Sequence, residues 1–206
     1  MQSALAFGDV TYRGPAIEDQ DIFERLPKDL QTLLGHTNGF VAFDGGIHVR
    51  GACLEPDWHS IRTFWMGSFA LHERYTALTE DDIPFAEDCV GDQFLLRSGQ
   101  VILLDTETGE VEVLANSLLE FLEKIQSDPQ ETLGMHPLIG MREEDGEFLE
   151  PGQLINVFPP FCTKEAAEGV AMSPVPTMQR LDYLVELSKV MSDLDDGHEF
   201  VYRFTE

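Results

Sequence analysis

Apolar residues recur along this chain with two periods, and the changes of period mark its elements. Leu26, Leu30, Leu33 and Leu34 share one face of a helix. That helix opens at Leu26-Pro27, with proline suited to the first helical position, and stops at Asn38-Gly39, where glycine takes a left-handed cap. Phe40 to Phe43 and Ile47 to Val49 read as strands joined through Asp44-Gly45-Gly46 into a hairpin. Residues 56–78 read as helical or mixed, with Trp58, Ile61 and Trp65, then Leu71, Tyr75 and Leu78, supplying a core-facing stripe. Three strands follow, Gln93 to Arg97, Gln100 to Asp105 and Glu110 to Leu114, with turns at Ser98-Gly99 and Thr106 to Gly109. They form an antiparallel meander. Ser117, with Glu120 three residues on, is a capping box, and Leu118, Leu119, Phe121, Leu122 and Ile125 give the helix behind it a wide apolar face.

The flanks are less regular. Residues 1–20 predict a short strand, Ala4 to Val10, and a lead-in loop through Gly14-Pro15. After Asp128-Pro129 the texture changes: residues 129–176 hold seven prolines, an acidic patch at Glu143, Glu144, Asp145 and Glu147, and the run Phe158-Pro159-Pro160-Phe161. This segment reads as an irregular extension wrapping the core. Thr177 to Leu194 returns to helix, with Leu181, Leu184, Val185, Ser188 and Met191 on one stripe. Asp195-Asp196-Gly197 ends it, and Glu199 to Phe204 reads as a last strand on the sheet.

Charge narrows the partners. Thirteen basic residues face 38 acidic ones, a formal net charge of -25. Phosphate backbones and anionic membrane surfaces are repelled, whereas a basic protein is attracted and steered. Acidity of this size also serves solubility alone. The apolar runs are too short to span a bilayer and the N-terminus lacks a signal-peptide pattern, so the expectation is a cytoplasmic protein. Cys53, Cys89 and Cys162, odd in number and widely spaced, read as free thiols rather than a disulfide or zinc framework.

The search for chemistry returns little. No histidine lies in a ligand-spaced pair with another histidine or a cysteine, and no P-loop, GxGxxG or GxSxG pattern occurs. Cys89 stands among Glu87, Asp88 and Asp92, whose charge raises a thiol pKa and disfavours it as a nucleophile. The same three carboxylates suit a hard cation or acid–base work, but they miss the spacing of a calcium loop. The favoured reading is that Asp88 and Asp92 satisfy backbone N–H groups of a turn in which Gly91 takes an unusual backbone angle. No catalytic residue, metal or cofactor is assigned.

Leu26-Pro27 and Asn38-Gly39, followed by Ile83-Pro84-Phe85-Ala86, Asp88, Gly91-Asp92 and the meander ending in the Ser117–Ile125 helix, resemble the SUKH superfamily. It includes relatives of a fungal cell-wall assembly regulator and many bacterial toxin-immunity proteins. The resemblance covers about residues 22–126. It implies a single α+β domain, a mostly antiparallel sheet with a central meander at 93–114 packed against helices, and a non-enzymatic role. Asn38, Gly39, Pro84, Ala86, Asp88, Gly91 and Asp92 occupy signature positions, and the resemblance implies that most of them shape turns near a shared surface groove rather than perform chemistry. Residues 1–126 then form the core with its lead-in, and 127–206 a C-terminal extension packed on it.

The expected function is an immunity protein that binds and neutralises a basic toxin domain, a nuclease among the candidates. Its contact carboxylates would be drawn from Glu80, Asp81, Asp82, Glu87, Asp88, Asp92, Glu143, Glu144, Asp145 and Glu147. The alternatives are a regulatory or scaffold protein of cell-wall or stress signalling, and an enzyme using the Glu87–Asp92 carboxylates with or without a metal.

Overall fold

Seven strands follow one another in chain order across one antiparallel sheet: β1 (Val10–Arg13), β2 (Phe40–Ala42), β3 (Ile47–Val49), β4 (Ile83–Asp88), β5 (Gln93–Arg97), β6 (Gln100–Leu104) and β7 (Val111–Ala115). The computed structural model describes residues 9–192. The expected strand residues Ala4 to Gly8, the Asp195-Asp196-Gly197 stop and the Glu199 to Phe204 strand lie outside that range. The architecture is α+β, with helices packed on the sheet as expected.

Both faces of the sheet are buried, because its strands alternate between two apolar cores. In β5, Phe94 and Leu96 join one core and Leu95 the other; in β6, Val101 joins the first, and Ile102 and Leu104 the second. The first core is closed by α1 (Gln20–Arg25), α2 (Lys28–His36) and α4 (Leu118–Ser127), through Ile22, Leu30, Leu34, Phe121 and Ile125. The second is closed by Phe64, Phe69 and Tyr75 and by α7 (Thr177–Ser192), through Leu181, Leu184 and Val185. Each such aliphatic or aromatic side chain removed from water contributes about 1.5–3 kcal/mol.

Several local signals work as expected. The Ser117 hydroxyl accepts from Glu120 N at 3.1 Å, but the Glu120 carboxylate reaches one residue further back than in a standard capping box, to Asn116 N at 3.0 Å. Pro27 stands at the N-cap of α2 rather than inside its first turn, because a separate helix precedes it, started by Asp19 accepting from Ile22 N. Leu119 is the one member of the α4 stripe that remains exposed.

Three expectations are corrected. Of the acid-rich motif Ile83 to Asp92, expected as a turn, only the end turns; Ile83–Asp88 is a fully buried strand at the centre of the sheet. Its proline is tolerated because the register slips between Pro84 and Ala86, a bulge that relieves the ladder of the missing N–H. Residues 56–78 hold only one short α-helix, α3 (Ile61–Trp65), flanked by single turns, and Trp58 lies half-buried away from the Ile61–Trp65 core, against the Tyr12, His48 and His59 rings. Residues 129–176 are more regular than their prolines suggest. They hold α5 (Pro129–Thr132), α6 (His136–Asp145) and a second antiparallel pair, β8 (Gln153–Phe158) with β9 (Ala171–Pro176). Pro174 and Pro176 fit because β9 has a partner on one side only. Leu154 and Ile155 of β8 enter the two cores, so this segment completes the interior.

Candidate functional site

Sheet register builds the first polar centre. Antiparallel pairing sets His48 of β3 opposite Glu87 of β4, and Glu87 opposite Gln93 of β5, so the three side chains stand in a row on one face. Arg50, two residues beyond His48, joins from the same side. Its Nη2 donates to Glu87 Oε2 at 2.6 Å and to Gln93 Oε1 at 2.8 Å, and its guanidinium lies 3.9 Å over the Phe64 ring. Arg50 and Glu87 are both 0% exposed. The neighbouring Arg50 guanidinium and His48 hold the Glu87 carboxyl below its ordinary value, although burial alone would raise it.

A hydrogen-bonded string leaves this pair in the other direction. Glu87 Oε1 meets His48 Nδ1 at 2.8 Å, His48 Nε2 meets His59 Nδ1 at 2.8 Å, and His59 Nε2 meets the Asn38 carbonyl at 3.1 Å. Three contacts need three hydrogens, and two neutral imidazoles supply two. Burial lowers both histidines, that of His59 to about 3, so both rings are neutral at pH 7. With Glu87 ionised, His48 donates to it and accepts from His59, which leaves the longest contact, at Asn38, without a hydrogen. The Asn38 side chain is itself committed at both ends: Oδ1 accepts from Ala52 N, beyond β3, at 2.7 Å and Nδ2 donates to Pro15 O of the lead-in loop at 3.0 Å.

The second centre is the turn after β4. Asp88 Oδ1 accepts from the backbone N–H groups of Val90, Gly91 and Asp92, each at 2.9 Å, and Asp92 Oδ1 accepts from Thr106 N at 2.9 Å and Thr106 Oγ1 at 2.8 Å. Both carboxylates thus satisfy backbone donors. Gly91 has φ +108°.

These placements correct part of the acidic surface expected from the sequence. Glu87 and Asp88 are buried by the sheet and its turn, and Asp82 is buried by its pair with Arg97 and its bond from Thr79 N, so none of the three faces a partner. Asp92 is partly buried. Glu80, Asp81, Glu143, Glu144 and Glu147 are exposed, and Asp145 is the last residue of α6. Cys53 and Cys89 are buried and Cys162 partly so; all three are free thiols. Burial first, and acidic neighbours second, push Cys53 and Cys162 up to about 12 and Cys89 well above its ordinary value.

A cavity of about 190 Å³ opens beside the Asp88–Asp92 turn. Four distant pieces of chain line it: Val90 and Asp92 from the β4–β5 turn, Asp105 to Thr108 from the β6–β7 turn, Phe161 and Cys162 from the β8–β9 connection, and Arg180 from α7. Asp105 Oδ1 accepts from Glu107 N at 2.9 Å and Thr108 N at 3.0 Å, which fixes the turn. Glu107 Oε2 accepts from Cys162 N at 2.8 Å. Arg180, 1% exposed, donates to Val90 O at 3.2 Å and Asn156 Oδ1 at 3.3 Å, and its Nη2 stands 3.5 Å from Glu107 Oε1. Thr106 to Gly109, read from sequence simply as a turn, Asp105, read as the end of a strand, and Arg180, placed simply in a helix, carried no signal that they meet. No group of three or more metal-ligating side chains occurs among the described residues.

Crowding has a measurable consequence here. Burial, then Asp105 and Glu107, raises the Asp92 carboxyl from 3.8 to about 6. The folded chain therefore holds a proton over that window which the unfolded chain has released, and the stability this contributes is present in acid and lost as pH rises through about 6. Asp92→Asn keeps the oxygen that Thr106 uses and removes the charge. It is expected to stabilise the protein by about 1–3 kcal/mol at pH 7.5 and to lose that advantage near pH 4. Urea unfolding at the two pH values checks it; a loss of stability at pH 7.5 would refute the assignment.

No curated protein matches the chain. A family model does, over residues 20–124, which takes in α1 through most of α4 and with them the buried row and the Asp88–Asp92 turn. The match covers more than half of the chain, and the protein belongs to the SMI1 / KNR4 family (SUKH-1).

Proposed function

We propose that this protein is a binding module that neutralises a basic protein, a toxin domain delivered by a competing cell, by covering its active surface. The observation that carries the reading is the net charge of -25 on a chain of this family. Such a field accelerates encounter with a cationic partner and rejects acidic ones. Glu80, Asp81, Glu143, Glu144 and Glu147 are exposed and available for contact, with Asp145 in the same acidic run. The carboxylates of the signature turn act instead as internal struts that hold the scaffold in shape. No helix among the described residues is long and apolar enough to cross a membrane, and the proposed site of action is the cytoplasm.

Co-expression with the toxin-like product of a neighbouring gene tests the reading. Restored growth and a complex that survives gel filtration are expected. The association rate should fall by about tenfold or more between low and physiological salt, because the steering is electrostatic. Absence of both protection and binding with every such neighbour would overturn it.

A further inference from the structure

We propose that the open edge of β7 takes up an extended basic segment of the protein partner as a further strand of the sheet; this rests on the binding role proposed above. β7 is the last of the seven strands, and no strand among the described residues pairs with it on its far side. The ladder fixes which way its backbone points. Asp105 N donates to Glu110 O at 3.0 Å, and the register sets Leu103 opposite Glu112. Along an antiparallel strand, residues turn their backbone groups alternately toward the neighbour and away from it. The Glu110 carbonyl and the Glu112 backbone groups therefore point to β6. Val111 and Val113 turn their N–H and C=O outward, where neither meets a backbone partner among the described residues. Lys124 Nζ takes Leu114 O at 2.7 Å, so the open stretch closes there.

Sheet edges are commonly blunted by proline, basic residues or bulges. β9 carries Pro174 and Pro176. β1 has only four residues, its register slips between Val10 and Tyr12, and it ends on Arg13, which repels a cationic strand. β7 holds neither proline nor a basic residue, and its register slips only past Val113. Val113 is 59% exposed, an apolar side chain left in water on the edge itself.

The side chains select the occupant. Successive residues face opposite sides of the sheet, which puts Val111 and Val113 on one side and Glu110 and Glu112, both exposed, on the other. The basic group beside them, Lys124, is already shared between Leu114 O and Glu120 Oε1 at 3.2 Å. An incoming strand that alternates apolar and basic residues would cover Val113 with the first set and pair Glu110 and Glu112 with the second. A second copy of this chain fits poorly. Two β7 edges laid together would bring glutamates against glutamates, on chains that each carry a net charge of -25.

The test needs no knowledge of the partner. The full-length ¹⁵N-labelled chain is titrated at pH 7 with an acetylated, amidated hexapeptide of alternating lysine and valine, and separately with its glutamate–valine counterpart. The lysine peptide should shift the amides of β7 saturably and slow hydrogen exchange at the Val111 and Val113 N–H groups about tenfold or more; the glutamate peptide should do neither. Val113→Pro removes an N–H that the ladder to β6 does not use, and should weaken binding about fivefold or more. Should that variant fail to fold, Glu112→Lys, altered at an exposed side chain, should weaken binding by a similar factor with an unchanged thermal midpoint. Equal binding of the two peptides, shifts without slowed exchange at Val111 and Val113, or full binding by both variants would overturn the proposal. So would self-association of the chain that Val113→Pro abolishes, because it would assign the edge to a second copy. A toxin complex that forms with undiminished affinity in Val113→Pro would overturn the edge and leave the immunity reading standing. Binding of the lysine peptide by a chain that captures no toxin would do the reverse.

Discussion

Glu87→Gln is expected to destabilise the protein by about 3–5 kcal/mol, a large share of what a domain of this size possesses. The substitution changes little volume, so the loss is electrostatic. Arg50 is 0% exposed, and Glu87 is the anion that neutralises it. Without that charge, the guanidinium keeps Gln93 Oε1, Pro84 O and the Phe64 face, while its Nε already has no hydrogen-bond partner. Urea unfolding at pH 7 measures the loss, and a change below about 1 kcal/mol would show that buried Arg50 does not depend on the Glu87 charge.

The pair as a whole contributes far less than its breakage costs, because both ions were taken out of water to form it. The double variant Arg50→Met with Glu87→Leu should therefore be more stable than either single variant, even though His48 and Gln93 lose a partner. The effect also has a pH signature. Folding lowers the Glu87 pKa, so its contribution is present above the ordinary glutamate range and disappears as pH falls through the folded value. The difference between wild type and Glu87→Gln should shrink in acid. That is opposite in sign to the Asp92 effect, and the two together place maximal stability on the mildly acidic side of neutrality.

Gly39→Ala should be the second severe change, costing about 3 kcal/mol or more. Gly39 has φ +79°, a conformation that costs an L-residue roughly 1–2 kcal/mol by itself. The added methyl would also stand 2.6 Å from Val49 O and 2.7 Å from Gly51 N, which are backbone atoms that cannot swing aside, and 2.5 Å from His59 Cε1. Gly91→Ala gives the contrast. Its φ of +108° is equally strained, but the nearest atoms are the ends of the Leu184, Leu181 and Leu154 side chains, which can repack. Thermal unfolding of both variants should rank Gly39→Ala well below Gly91→Ala; the reverse order would mean that side-chain packing under α7 is less forgiving than the Asn38–Gly39 turn.

Much of this scaffold was legible before its structure. The hairpin at 40–49, the meander at 93–114, the Ser117 cap and the 177–192 helix rest on interactions between residues a few positions apart, so period, turn glycines and capping residues reveal them. The reading that Asp88 holds its own turn also came from local chemistry, since it reaches N–H groups only two to four residues on, whereas Asp92, expected to serve the same turn, accepts instead from Thr106 in the β6–β7 turn. β4 was hidden because its proline and acids contradict every local strand signal. They are compensated by a bulge and by partners on neighbouring strands, which no window of sequence contains.

The sequence alone determined the hairpin, the meander, the capped helix behind it, the family resemblance and the acidic field, because each depends on composition or short spacing. Tertiary structure decided which acids are surface and which are interior. Register, a long-range property, sets Glu87 beside His48 and Arg50, and folding of the C-terminal segment brings Glu107 to Arg180 across 73 positions of chain. A carboxylate among apolar neighbours in sequence carries no mark of whether it will meet water, an arginine or a partner's lysine. That is fixed only when strands separated by tens of residues choose their pairing.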